Sequence, residues 1–151
     1  MNASSPSGAM TVRQKMLDVI AAGNTPVPAF VARLSLQVVS MEWRTGSVTV
    51  DFHIPDDLCV DPNVVFGGHV SSIHDQAAGF TMYTLLGDDL MFATTRLNVE
   101  YLTATRPGAV RAEAKLDTMD ERSADVRVSL WQEGRVTSES VVTEAIREVK
   151  K

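Results

Sequence analysis

The sequence predicts an α+β domain in which a curved antiparallel sheet wraps around one central helix, with a short helix ahead of it. Three observations carry this. Residues 67–86, GGHVSSIHDQAAGFTMYTLL, contain no proline and are apolar on most faces, as suits a largely buried helix of about five turns. Apolar and polar residues alternate in two stretches before this segment and in four after it, the twofold period of strands. A helix apolar nearly all round also needs cover on more than one side, part of it from a curved sheet and the rest most simply from a second subunit.

In chain order, residues 11–22, TVRQKMLDVIAA, set Val12, Met16, Val19 and Ile20 at roughly helical spacing, with Gly23-Asn24 as the stop. Pro26 and Pro28 exclude a continuing helix and make residues 25–29 an extended link. Leu34, Leu36 and Val38, then Val48, Val50, Phe52 and Ile54, alternate with polar neighbours on either side of Thr45-Gly46, which reads as a hairpin. Residues 55–66 turn to Asp, Pro and Asn, a loop of about a dozen residues and long enough for a functional role. The helix at 67–86 ends at Gly87-Asp88-Asp89. Strands are expected at 90–102, 109–117, 123–132 and 135–147, with turns at Pro107-Gly108, Met119 to Glu121 and Glu133-Gly134. Residues 1–10, MNASSPSGAM, are small and polar and are expected to form a flexible tail, leaving 11–151 as a single domain.

Composition narrows the function. A chain of 151 residues suits one domain. Its 14 Lys and Arg against 19 Asp and Glu give a net charge of -5, which argues against a nucleic-acid surface. The single Cys59 makes neither a disulfide nor a zinc site, and a reducing, cytoplasmic setting is expected. No stretch of about 18 apolar residues offers a membrane span.

Asp75 stands out as the candidate catalytic group. It sits mid-helix, where an unpaired buried carboxylate costs several kcal/mol. Gly68, Ser71, Ser72 and Gly79 share its side of the helix, so that face is small and polar. The helix opens with Gly67-Gly68, whose amides are unsatisfied donors at the positive end of the dipole and suit a thioester oxygen gaining charge. Asp75 could act there as nucleophile or as base for water. Gly-Gly is also common as a plain turn, and an Asp at this position also suits a solvated groove or a pair with Arg across a subunit contact. His69 and His74 lie off the Asp75 face and read as interface or supporting residues, and His53 as a surface residue. Ser71 and Ser72 lack the strained elbow of a triad nucleophile.

Phe66-Gly67-Gly68, Asp75 nine positions after Phe66, and the strand Thr94-Thr95-Arg96-Leu97-Asn98-Val99-Glu100-Tyr101-Leu102 resemble the signature of the PaaI-like, phenylacetate-degradation branch of hotdog thioesterases. The order of elements agrees across about residues 30–148. The resemblance implies a hotdog fold that forms homodimers or homotetramers with active sites at subunit boundaries. It further implies hydrolysis of a small or medium acyl-CoA to free acid and CoA without metal or organic cofactor. On the same resemblance Gly67 supplies the oxyanion donor, Asp75 is base or nucleophile, and Thr94 from the neighbouring subunit orients the water. Asn63, Phe66, Gly68, Ser71, Thr95 and Arg96 are the expected substrate-binding residues, and Arg96 and Arg106 are cations for the CoA phosphates. Two positions depart from the pattern: Phe66 stands where the family carries His, and Val60 where it carries Asn, with Asn63 the nearest substitute. Those departures support a non-catalytic acyl-CoA binding or sensing protein as one alternative. A hotdog enoyl-CoA hydratase or dehydratase is another, disfavoured because no His shares the Asp75 face.

Overall fold

The computed structural model describes residues 12–23 and 28–150. The expected tail, Thr11, residues 24–27 of the expected stop and link, and Lys151 lie outside these. The first helix, α1, runs Val12–Ala21. A four-residue helix, α2 (Ala29–Ala32), follows Pro28, whose fixed φ suits the position just ahead of a helix. It was not expected, and it places Leu34 in the core beyond a helix end rather than on a strand. The first hairpin is β1 (Gln37–Met41) and β2 (Ser47–Ile54). Its turn places Gly46 at φ +60, and a Cβ there would press to 3.3 Å on Leu85 and Leu116.

Residues 55–66 are more ordered than an open loop. A single 3-10 turn at Asp56–Leu58 leads into a small hairpin of β3 (Cys59–Asp61) and β4 (Val64–Val65). Val65 is buried, and its amide donates to Thr105 O at 2.9 Å, which pins the hairpin beside the helix start. The central helix, α3, is Gly67–Leu85. After it come β5 (Leu90–Tyr101), β6 (Gly108–Met119), β7 (Ser123–Gln132) and β8 (Arg135–Glu148), within a few residues of the expected strands. Glu133 and Gly134 both have positive φ, 50 and 78, as a two-residue hairpin turn requires.

Among the described residues one antiparallel sheet has the order β1-β2-β6-β7-β8-β5, and α3 lies against its concave face. The sequence alternation decides which side faces the helix. Val48, Val50, Phe52 and Ile54 of β2 and Val126, Val128 and Leu130 of β7 are at most 2% exposed. Alanines let the helix seat close: Ala77 and Ala78 on α3 and Ala112 on β6 are completely buried. A curved antiparallel sheet around one long helix, with a short helix ahead, is the hotdog fold. No helix among the described residues is long and apolar enough to cross a membrane.

β5 is an edge strand of unusual character. Most of its residues are exposed, including Met91, Leu97 and Tyr101, and its outer row of backbone groups has no neighbouring strand among the described residues. The tight seat of α3 yields a direct prediction. Ala112→Leu should destabilise the fold by about 1–3 kcal/mol in urea unfolding, because the added volume has no space to enter. An unchanged midpoint would mean that the helix does not rest on β6.

Candidate active site

Asp75 projects from the middle of α3 and is half-buried. Its Oδ1 accepts a 2.7 Å hydrogen bond from Thr94 Oγ1 on β5. The same hydroxyl oxygen lies 3.2 and 3.1 Å from Oε1 and Oε2 of Glu144 on β8. Thr94 and Glu144 are directly paired across the β5–β8 ladder, so both side chains stand on the face toward α3. Two carboxyl groups therefore converge on one threonine.

Glu144 is completely buried. Ion pairs among the described residues join Arg33 to Asp57, Arg111 to Asp51 and Arg127 to Asp117, and none reaches either acid. Burial pushes the Glu144 carboxyl up to about 7; the Thr94 hydrogen bond works against this, and the charge of Asp75 adds to it. Sequence reading missed Glu144, although a signal was there. The helix-facing register of β8 runs Ser138, Ser140, Val142, Glu144, Ile146, an acid in an otherwise inward series.

The start of α3 is built separately. The first intrahelical bonds are His69 N and Val70 N to Phe66 O, so the Gly67 and Gly68 amides precede the ladder and have no partner among the described residues. Tyr101 Oη donates to Gly67 O at 2.8 Å and meets Ser71 Oγ at 2.5 Å, which ties the helix start to the far end of β5. Phe66 is 52% exposed and meets His69 edge-on, with ring centroids 5.6 Å apart. Its ring also covers Gly68, where a Cβ would fall 2.7 Å from it. Phe66 thus occupies the space above the helix start in place of a polar group.

Gly67 and Asp75 are eight residues apart on one helix, about 12 Å along its axis at 1.5 Å per residue. A nucleophile about 3–3.5 Å from a carbonyl carbon and a donor about 3 Å from its oxygen span less than that backbone rise. Thr94, in contrast, meets Asp75 within one protomer, where the resemblance implied a residue of the neighbouring subunit.

The remaining expected residues scatter. The ladder shifts between Thr94 and Arg96, leaving Thr95 as a bulge whose hydroxyl donates to Thr143 O at 3.2 Å. Beyond the bulge Arg96 pairs with Thr143, on the face of the sheet away from α3 and Asp75. Asn63 is an exposed turn residue between β3 and β4, its carbonyl accepting a 3.4 Å bond from Arg106 Nη1. His74 is buried, with Nδ1 and Nε2 each 2.7 Å from the hydroxyls of Ser140 and Ser138, and burial lowers its pKa to about 4. It is a neutral core residue, which agrees with its place off the Asp75 face.

Comparison with known proteins supports the same fold. The family model of the thioesterase superfamily matches residues 62–139, more than half of the chain. A search of curated proteins returns no match. Among solved structures, a phenylacetic acid degradation-related protein from Ralstonia eutropha JMP134 superposes with a TM-score of 0.78 at 22% identity, over 85% of this chain and 98% of that one. A mutant of the phenylacetic acid degradation protein PaaI from Thermus thermophilus gives 0.69 at 20% identity, over 78% and 98%. A hypothetical thioesterase protein from Streptococcus pneumoniae TIGR4, solved with coenzyme A, gives 0.70 at 17% identity, over 80% and 93%.

Two buried titrating groups make stability depend on pH in opposite senses. Between 4.5 and about 7 the folded chain keeps a proton on Glu144 that the unfolded chain has released, so this contribution is full at low pH and lost as pH rises. Between 6.5 and about 4 the unfolded chain protonates His74 while the folded chain does not, so that contribution is lost as pH falls. Each is worth on the order of 3 kcal/mol, and over most of the range they offset. Glu144→Gln removes only the first. In urea titrations from pH 4.5 to 7.5 the variant should gain on the order of 3 kcal/mol over the wild type, and parallel curves would show that Glu144 is not buried as a neutral acid.

Proposed function

This chain belongs to the thioesterase superfamily, and from that membership and the site geometry we propose that it hydrolyses acyl-CoA thioesters to free acid and CoA. The observation that carries the proposal is Asp75, half-buried on the central helix with Oδ1 held by Thr94 at 2.7 Å. Its Oδ2 has no partner among the described residues and is the oxygen left to act on water or on the thioester carbon. The oxyanion donor is the amide of Gly67, at the positive end of α3.

Because Asp75 and Gly67 of one helix stand about 12 Å apart, the working site combines Asp75 and Thr94 of one protomer with Gly67 of another. The unpaired edge of β5 and its exposed Leu97 and Tyr101, with Leu102 and Phe66 nearby, support such a pairing. Two copies related by a twofold axis would create two equivalent sites. The likeness to a chain solved with coenzyme A supports a CoA ester as substrate. Phe66, Gly68 and Ser71, all at the helix start, are the substrate-binding residues this reading keeps.

Two substitutions test the two halves of the site. Asp75→Ala should lower hydrolysis of butanoyl-, octanoyl- and phenylacetyl-CoA, followed by free thiol, by about a hundredfold or more. Gly67→Pro removes the amide hydrogen yet suits the first position of a helix, and Phe66 at φ -56, ψ 129 is compatible with a following proline. It should fold and lose about 100- to 1000-fold in kcat. Mixed in equal amounts and reassociated, the two variants should recover roughly a quarter of wild-type activity, since half the dimers carry one intact site of two. No recovery would place both groups in one protomer's site. Tight acyl-CoA binding without thiol release would favour a sensing role, and loss of enoyl absorbance without thiol a hydratase.

A further inference from the structure

The chemistry proposed above employs Asp75 and leaves Glu144 without a task. We propose that Glu144 is a positioning residue: as a neutral carboxylic acid it donates to Thr94 Oγ1, which commits the single hydroxyl hydrogen of Thr94 to Asp75 Oδ1. This rests on the reading of Asp75 as the working carboxylate.

A threonine hydroxyl has one hydrogen to give and lone pairs to receive. Three carboxyl oxygens lie within 3.2 Å of Thr94 Oγ1, and the nearest is Asp75 Oδ1 at 2.7 Å. Once the hydrogen goes there, the contact with Glu144 is a hydrogen bond only if Glu144 carries the proton. Both of its oxygens are within reach, so a proton on either one serves.

The surroundings agree. Asp75 is the one charged group facing Glu144 from α3, Thr94 faces it from β5, and Ala124 pairs with it from β7. Val142 and Ile146 flank it on the inward side of β8. His74 is engaged by Ser138 and Ser140 further along β8 and is neutral. A completely buried carboxylate with no cation and one like charge is the costlier state. A neutral acid completes an ordered chain instead: Glu144 O–H to Thr94 Oγ1, Thr94 O–H to Asp75 Oδ1. Fixing Oδ1 orients the side chain and leaves Oδ2 for the reaction. Ionised Glu144 would compete for the Thr94 hydrogen and release that orientation.

The test uses the full chain, with kcat and KM measured from pH 6 to 9 on butanoyl-, octanoyl- and phenylacetyl-CoA. Glu144→Leu should lose about tenfold or more in kcat with KM changed by less than about twofold, because Glu144 acts behind Thr94 and does not touch substrate. Glu144→Gln, whose amide can donate in the acid's place, should regain most of that loss. Wild-type kcat should decline as rising pH removes the Glu144 proton, and Glu144→Gln should lack the decline. Equal losses in the two variants, or superimposable wild-type and Glu144→Gln profiles, would overturn the proposal. Asp75→Asn retaining wild-type rates would overturn the underlying reading, whereas an inactive Asp75→Asn beside a pH-indifferent Glu144 removes only the positioning role of Glu144. One arm needs no turnover. The side-chain carboxyl of Glu144, followed by carbon-13 NMR, should titrate at lower pH in Asp75→Asn than in the wild type, and an unmoved midpoint would also sink the idea.

Discussion

Thr94 has one hydroxyl hydrogen and two carboxyl groups beside it, and much of this molecule is arranged around that shortage. The hydrogen can serve only one acid. Asp75 holds the shorter contact and the partial access to solvent, and Glu144 has neither solvent nor cation to support a charge. Two acids a threonine apart therefore sit in different surroundings, and burial pushes Glu144 toward its neutral form. The fold supplies those surroundings. Alanines on α3 and β6 let the helix sit low over the sheet, and the β5–β8 register sets Thr94 opposite Glu144.

Much of this frame was legible in the sequence because it depends on local periodicity. The long proline-free segment forms α3 to within a residue, and the strands after it begin and end near their turn signals. Asp75 was legible too, since an acid amid apolar helical residues is a conspicuous cost. Other features depend on events that periodicity does not encode. In strict alternation Thr94 and Arg96 would share a face, but the bulge at Thr95 resets the parity. Leu97 and Tyr101 then join Thr94 on the inner face while Arg96 turns to the outer one. The hairpin of β3 and β4 is only a few residues long, too short to establish a pattern. Glu144 was visible as an inward acid on β8, yet its meaning required knowing which helical residue faces it.

His74 illustrates the same division. Its place off the Asp75 face follows from helical geometry, and the structure fills in the reason for a polar residue there. Ser138 and Ser140 offer hydroxyls to its two ring nitrogens, so a neutral imidazole is satisfied inside the core without a charge. The core thus holds two ionisable side chains, a histidine and a glutamate, both favoured uncharged. Their proton linkages run in opposite senses over the pH range that both share.

The spacing of the helix has a further consequence for assembly. The backbone rise from Gly67 to Asp75 is about 12 Å, more than a donor and a carboxylate acting on one carbonyl group span. If both act on one thioester, an isolated protomer carries two half-sites and no whole one. Catalysis and association then become the same equilibrium, and dilution that separates protomers would abolish activity without unfolding the chain. The exposed edge of β5 carries Thr94 at its middle and Tyr101, the anchor of the helix start, at its end. One strand thus touches both half-sites, and whatever pairs with that edge fixes the distance between each half and its complement.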